Sequence, residues 1–347
     1  MAAALLQKPL LDPVSTTILV TGANGFVASH IVNEALKLGY RVRGTARTLE
    51  KAAATKAVYQ NHPNYTTAVV SDFATARAEI EEAVKDVDSI IHVASDVTFS
   101  PDPNKVIPVV IELTLQVLRA AAKEPSVKRF TLTSSSTAVI TQKSGGTPRS
   151  DLTADSWNNE AIELAWRKPD VNGEWPADQA LQVYSASKTE GERAFWKFVK
   201  EEKPQFVANS ILPNLNFGQV FPEGGSGASG DAIISLARTQ EMPYFAPMHY
   251  INVTDTARLH LAAAVLDEEL VNQRIFAFAQ EFNWNDVIDA IKQVRPDIKM
   301  TVEHDQNLGR DLTQVPYEQG AYLLRKWFGQ DGYKSLAESA KENLIGF

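Results

Sequence analysis

The run Ile18-Leu-Val-Thr-Gly22-Ala-Asn-Gly25-Phe-Val-Ala28 constrains this chain more than any other stretch. A buried apolar strand passes through two glycines straight into a helical pattern. The glycines let backbone N–H groups approach a pyrophosphate, and the helix amino terminus adds a favourable dipole for its charge. The spacing is Gly-x-x-Gly-x-x-Ala, one residue wider at the first gap than the common dinucleotide fingerprint. Alanine holds the third site, where the helix packs on the strand.

The pattern that follows alternates short β-branched runs with longer helical segments. Strands are predicted at 17–21, 41–46, 68–70, 89–94, 129–133 and 207–212, and helices at 26–38 and 185–203. A further long helix carries its apolar stripe on Val109, Leu113, Val117 and Ala120. This alternation predicts an α/β fold, a doubly wound (Rossmann) parallel sheet with helices on both faces. After Leu212 the rhythm breaks at Pro213, at the glycine-serine segment 222–230 and at Pro243 and Pro247. A smaller substrate lobe begins there. Residues 251–266 resume a strand-to-helix pattern with Asp255 near the cap, so the lobes are expected to be discontinuous. The dinucleotide-binding domain takes 1–212 and 250–267, and the substrate-binding lobe 213–249 and 268–347. Segment 224–230 reads as a mobile loop over the substrate.

Composition removes several function classes. The 347 residues are 44% apolar and 22% charged, ordinary for a soluble globular chain. Lys and Arg number 34 against 42 Asp and Glu, and the net charge of −8 argues against nucleic acid. With no cysteine, disulfides, thiolate nucleophiles and cysteine-ligated zinc are excluded together, and a cytoplasmic setting is expected. Six dispersed histidines lack metal-ligand spacing, so no metal is expected. No window reaches the roughly eighteen uninterrupted apolar residues of a membrane span. The first thirteen residues read as a loose leader.

At the end of the second strand, Arg41-Val-Arg43-Gly-Thr-Ala46-Arg47 offers no carboxylate for a ribose 2′-hydroxyl. Arg47 and Lys51 can instead bracket a 2′-phosphate, which points to NADP(H). Asp72 is placed either to accept from the adenine amino group or to cap a helix over 74–84. Small residues Ala94 and Ser95 end the fourth strand, and His92 packs within it. Tyr184-Ser-Ala-Ser-Lys188 faces Thr133-Ser134-Ser135-Ser136 at the end of the fifth strand. Tyrosine and lysine four residues apart share a helix face, where an ammonium stabilises a phenolate and makes the phenol a usable acid near neutrality.

These motifs together resemble the extended branch of the short-chain dehydrogenase/reductase family over nearly the whole chain. They run from Thr21-Gly22-Ala-Asn-Gly25-Phe-Val-Ala28 through Thr133-Ser-Ser135, Tyr184-x-x-x-Lys188 and Leu212-Pro213-Asn214 to Val253-Thr-Asp255-Thr-Ala257-Arg-Leu-His260. Runs 39–47 and 125–135 look like the fungal NADPH-dependent aldehyde and ketone reductases, and plant dihydroflavonol and cinnamoyl-CoA reductases are similar at greater distance. The resemblance implies that Ser135 is the catalytic serine, with Ser134 and Ser136 as rivals, that Tyr184 is the acid and Lys188 its partner, and that Pro213 and Asn214 meet the nicotinamide amide. Expected cofactor contacts are Gly22, Asn24, Gly25, Phe26, Val27, Arg47, Lys51, Asp72, Phe73, Val93, Ala94, Ser95, Thr133, Tyr184, Lys188, Pro213 and Asn214. Ser135 with Phe99, Phe217, Met242 and Tyr244 is expected to line an apolar pocket for a hydrophobic small-molecule carbonyl substrate. The implied activity is NADPH-dependent reduction of aldehydes or ketones by a monomer or homodimer that binds neither nucleic acid nor membrane. Two alternatives share these features: a nucleotide-sugar epimerase or dehydratase, and a non-catalytic NADP(H)-sensing protein.

Overall fold

A computed structural model describes residues 5–143, 152–221, 227, 229–243 and 245–347. In chain order the elements are β1 (Thr17–Val20), α1 (Phe26–Lys37), β2 (Arg41–Ala46), α2 (Leu49–Val58), β3 (Tyr65–Val69), α3 (Arg77–Val84), β4 (Ser89–His92), α4 (Pro103–Lys123), β5 (Arg129–Thr133), α5 (Asn159–Ala165) and α6 (Gln179–Glu202). There follow β6 (Val207–Pro213), β7 (Leu215–Phe217), α7 (Gly230–Thr239), β8 (Met248–Asn252), α8 (Val253–Leu261), β9 (Arg274–Ala277), β10 (Gln280–Phe282), α9 (Trp284–Val294), α10 (Glu318–Phe328) and α11 (Leu336–Asn343).

Seven strands form one sheet in the order β3-β2-β1-β4-β5-β6-β9, each neighbouring pair parallel. The doubly wound sheet expected from the alternation is present, and its order reverses between β1 and β4, where an open α/β sheet leaves a ligand crevice. One face is covered by α1, α8 and α10 through Ile31, Leu261, Leu324 and Trp327. The other is covered by α3, α4 and α6 through Ile80, Val117, Leu118 and Phe195. Among the described residues no helix is long and apolar enough to cross a membrane.

A three-stranded sheet, β10-β8-β7, carries the second core. There the rings of Phe217, Tyr250, Phe282 and Trp284 meet at centroid separations of 5.3 to 6.2 Å, under α7, α9 and α11. The sequence assigns 268–347 to this lobe, yet β9 pairs with β6 and α10 packs on the first core. A lobe division with β9 and α10 on the dinucleotide side is therefore proposed.

Other boundaries shift for local reasons. Strand β4 stops at His92 rather than Ala94 because the next two N–H groups turn to Thr21 Oγ1, Val93 at 2.9 Å and Ala94 at 3.0 Å. Strand β3 spans Tyr65–Val69 instead of 68–70, in register with Val42–Ala46. Helix α3 starts at Arg77 rather than 74, since residues 72–76 form a turn whose Ala76 N–H bonds Asp72 O at 2.8 Å. Helix α6 begins at Gln179, two turns ahead of the predicted start, where the buried amide donates to Ala165 O at 2.7 Å and Pro101 O at 3.3 Å. The leader is not loose throughout: the N–H groups of Leu10 and Leu11 bond Leu266 O and Val265 O. For α8 the cap is Asn252, which accepts from Thr254 N at 2.8 Å, and Asp255 lies in the first turn. Most of the 222–230 loop lies outside the described residues, while Gly227 and Gly230 pack flat on the Phe26 ring.

Candidate active site

The carboxyl ends of β1, β4, β5 and β6 line up along the crevice. Gly22 takes a left-handed φ of +67°, and a Cβ there would touch Ala94 at 3.4 Å, so the glycine turn and the end of β4 are pressed together. The turn closes through Gly25 N–H to Gly22 O at 2.8 Å, and Gly25 caps α1 with no side chain of its own. The first N–H groups of α1 thus remain open to an anion. Asn24 is exposed, and Phe26 and Val27 are half-buried in the first turn. Ser95 Oγ is buried without a partner beside this turn's neighbour Ala94. An orphaned hydroxyl and a cradle of glycines both fit a bound dinucleotide.

Further along, Arg41 is tied to Ser15 O, and Arg43 donates to Ala83 O at 2.9 Å and Lys85 O at 2.7 Å. Arg47 and Lys51 are exposed and, among the described residues, make no ion pair. Asp72 accepts from Ala74 N and Thr75 Oγ1, both at 2.8 Å, which is turn-capping work. Phe73 lies edge-on to His92 at 5.7 Å.

At the other end, helix α6 brings Tyr184 and Lys188 under the β5 turn. Ser135 lies beside the Tyr184 phenol, whose ionisation it favours, and its Oγ accepts from Thr137 N at 3.2 Å and Thr137 Oγ1 at 3.0 Å. Ser134 donates instead to Glu192 at 2.8 Å, and Ser136 is buried in the following 3-10 turn. Of the three serines, Ser135 is the one beside the phenol. Spacing suggests a phenol pulled down by the ammonium. In the folded chain burial acts first and holds Tyr184 above its ordinary value, opposed by the Ser135 side chain. Lys188 Nζ lies 5.9 Å from the Tyr184 ring centroid. Burial pushes the ammonium down to about 8 against the pull of Glu192. His92 donates or accepts at Thr21 Oγ1, 2.9 Å away, and burial pushes it down to about 3, so it is neutral.

Supporting residues came into view only with the structure. Thr133 Oγ1 lies 2.7 Å from His260 Nε2, and His260 Nδ1 lies 2.8 Å from Thr256 O. The carbonyl demands a proton on Nδ1, so Thr133 donates to Nε2. Asn214 donates to Gln142 Oε1 at 2.9 Å, and Gln142 donates to Asp311 at 2.7 Å. Pro213 ends β6, opposite Ala277. His260 was visible in the Val253–His260 motif without a role. Gln142 and Asp311 left no local signal, because their partners are distant in sequence.

The substrate expectations divide. Phe99 stacks on Tyr184 at 4.7 Å and 26° from a strained φ of +52°, with 40% of its surface exposed. Phe217 is corrected: it is wholly buried among Tyr250, Phe282 and Trp284 and belongs to the second core. Its aromatic character reflects packing demand. Met242 packs at the edge of the same core. Tyr244 lies outside the described residues.

With this geometry in hand, the comparisons are consistent. The model of the NAD dependent epimerase/dehydratase family matches residues 18–160. The chain is 41% identical to the NAD-dependent epimerase/dehydratase terH of Aspergillus terreus, covering 96% of this chain and 97% of that protein. It is 37% identical to aldehyde reductase 2 of Sporidiobolus salmonicolor, covering 96% of each. The solved structure of yeast methylglyoxal/isovaleraldehyde reductase Gre2 with NADPH is similar in fold, with a TM-score of 0.77 and 24% identity over 95% of this chain and 97% of that one. Identities of 41% and 37% over 96% of the chain lead to one conclusion: the chain belongs to the extended short-chain dehydrogenase/reductase family.

Proposed function

We propose that this chain reduces aldehydes or ketones to alcohols with NADPH, acting on hydrophobic carbonyl substrates. The observation that carries the reading is the gathering of Ser135, Tyr184 and Lys188 at the carboxyl edge of the sheet, two strands from the glycine turn. Gly22, Gly25 and the first turn of α1 would hold the pyrophosphate, Ser95 and Asn214 the nicotinamide half, and Arg47 with Lys51 the 2′-phosphate. When bound, the cofactor supplies the hydride. Ser135 hydrogen-bonds the carbonyl oxygen and orients it, and Tyr184 gives that oxygen its phenolic proton. Burial keeps the phenol protonated at neutral pH, which suits a donor. Lys188 stands beside the phenol as it loses its proton and stabilises the charge that develops. The exposed Phe99 ring over Tyr184 forms an apolar wall for the substituent on the carbonyl, which excludes water from the proton transfer.

The name of the Sporidiobolus relative supports the reading. The name of the Aspergillus terreus relative favours a second one, an epimerase or dehydratase that holds its cofactor through the cycle. The exposed cation pair at Arg47 and Lys51 weighs for NADPH and against an NAD site, where a carboxylate would be expected. A screen of aliphatic aldehydes, aryl ketones and β-keto esters with NADPH and NADH tests the proposal. Steady NADPH consumption with a hydrophobic carbonyl is expected. No consumption with any class, while a nucleotide sugar is converted, would favour the second reading.

A further inference from the structure

Glu192 lies two turns beyond Tyr184 and one beyond Lys188 on α6, and its side chain is completely enclosed. Five donors converge on its two oxygens. Arg274 makes a two-pronged contact, Nε at 2.8 Å to Oε1 and Nη2 at 2.9 Å to Oε2. Ser210 Oγ at 2.7 Å and Trp196 Nε1 at 3.2 Å share Oε1, and Ser134 Oγ at 2.8 Å reaches Oε2. A carboxylate has about four lone-pair sites, so these five donors leave none of them open. Apart from Trp196 on its own helix, its partners come from the turn after β5, from β6 and from β9, which ties these three to the helix bearing Tyr184 and Lys188.

The tie reaches Ser135 from both sides. On one, Ser134 is its chain neighbour. On the other, Arg274 Nη1 donates to Ala154 O at 2.6 Å and Ser156 O at 2.7 Å, and its guanidinium lies 3.9 Å over the Trp157 ring. The same segment continues to Asn158, which donates to Thr137 O at 2.8 Å, and Thr137 is the residue that bonds Ser135 Oγ. A bidentate, fully desolvated ion pair is a stiff joint, and removing one member leaves an uncompensated charge.

We propose that Glu192, clamped by Arg274, is a positioning residue of the catalytic constellation: it fixes the turn presenting Ser135 and sets its carboxylate one helical turn from Lys188. This rests on the carbonyl-reductase reading above. The charged and titratable groups around Lys188 are the Tyr184 phenol and Glu192 on its own helix and His92 from β4. His92 stays neutral through the assay range. Around Glu192 they are Arg274 from β9 and the hydroxyls of Ser134 and Ser210. Loss of the Glu192 charge destabilises the Lys188 ammonium, so it deprotonates at lower pH.

Parent, Glu192→Gln, Ser134→Ala and Tyr184→Phe full-length chains are compared in NADPH-dependent carbonyl reduction from about pH 6 to 10, with thermal unfolding and fluorescence titration of NADPH alongside. For Glu192→Gln, the alkaline limb of kcat/KM is expected to move down by about half a unit or more, with kcat down at least about fivefold. Ser134→Ala is expected to lower kcat about threefold or more and leave the limb in place. A Glu192→Gln chain that loses thermal stability but keeps the parent limb and kcat overturns the proposal, as does parent-like kcat in Ser134→Ala. Should Glu192→Gln fail to fold, Glu192→Gln/Arg274→Gln leaves no unpaired buried charge, and a folded double variant with parent-like kcat overturns the proposal. Parent-like turnover in Tyr184→Phe defeats the reductase reading itself. An inactive Tyr184→Phe beside a parent-like Glu192→Gln defeats only the role given to Glu192.

Discussion

The two ends of the crevice treat charge in opposite ways. At the β2 end, Arg47 and Lys51 stand exposed with no ion-pair partner among the described residues, while their neighbours Arg41 and Arg43 are spent on backbone carbonyls. At the β5 end, Lys188 is 7% exposed and Glu192 and Arg274 neutralise each other inside the fold. The first end leaves cations open to an anionic ligand. The second holds its charges in place before any ligand arrives, which is the preorganisation that electrostatic catalysis requires. Affinity and specificity for the cofactor should therefore respond to changes at the first end, and turnover to changes at the second.

The largest expected departure from this contrast is at Lys188, which belongs to the buried end but is proposed to serve both jobs. Lys188→Ala should cut turnover by about 10²-fold or more and weaken NADPH together, read by steady-state kinetics and fluorescence titration. Loss of turnover with unchanged NADPH affinity would confine the lysine to proton chemistry.

The second lobe supplies the next test. Phe217→Ala should destabilise by about 3–5 kcal/mol, the cost of emptying an aromatic site in a closed core. Phe99→Ala, at a half-exposed ring, should leave the unfolding midpoint nearly unchanged and raise KM for the carbonyl substrate. Urea unfolding and substrate kinetics on the pair separate a core residue from a pocket residue.

At the open end, Arg47→Ala should weaken NADPH by roughly 10- to 150-fold and NADH hardly at all, since a charge-assisted contact contributes about 1.5–3 kcal/mol. Equal loss with both cofactors would place the arginine elsewhere.

The smallest effect is on stability against pH. Burial pushes His30 and His260 down to about 4 and His92 to about 3, all below the unfolded value of 6.5. The unfolded chain then binds more protons, so the stability these groups contribute is complete above about pH 6.5 and is lost as pH falls toward 4. Asp255, raised to about 6 by burial, works the other way and recovers some stability on protonation. Three groups oppose one, so the midpoint should fall from about pH 7 to pH 5 in circular dichroism melts. A midpoint that rises would mean Asp255 outweighs the histidines.

How much of this was legible in the sequence follows the same division. The glycine turn, the strand–helix alternation and the Tyr184–Lys188 spacing are local patterns, and local patterns survive in one dimension. Arg47 could be separated from Arg41 and Arg43 because it lies just past the end of the second strand while they lie within it. Glu192 was not singled out in the sequence, because nothing local revealed its partner Arg274, 82 residues away. Phe217 was misread because an aromatic near a sheet edge serves a pocket and a core equally well. The early start of α6 was hidden too, since Gln179 opens the helix through contacts to Pro101 and Ala165 from other parts of the chain.

The central claim is that Tyr184 supplies the proton in a carbonyl reduction. Loss of NADPH absorbance is followed with a hydrophobic aldehyde for the parent and for Tyr184→Phe, which removes one hydroxyl and keeps the ring. Turnover in the variant should fall by about 10²–10⁴-fold while NADPH still binds with parent affinity. Reduction at close to the parent rate would contradict the mechanism.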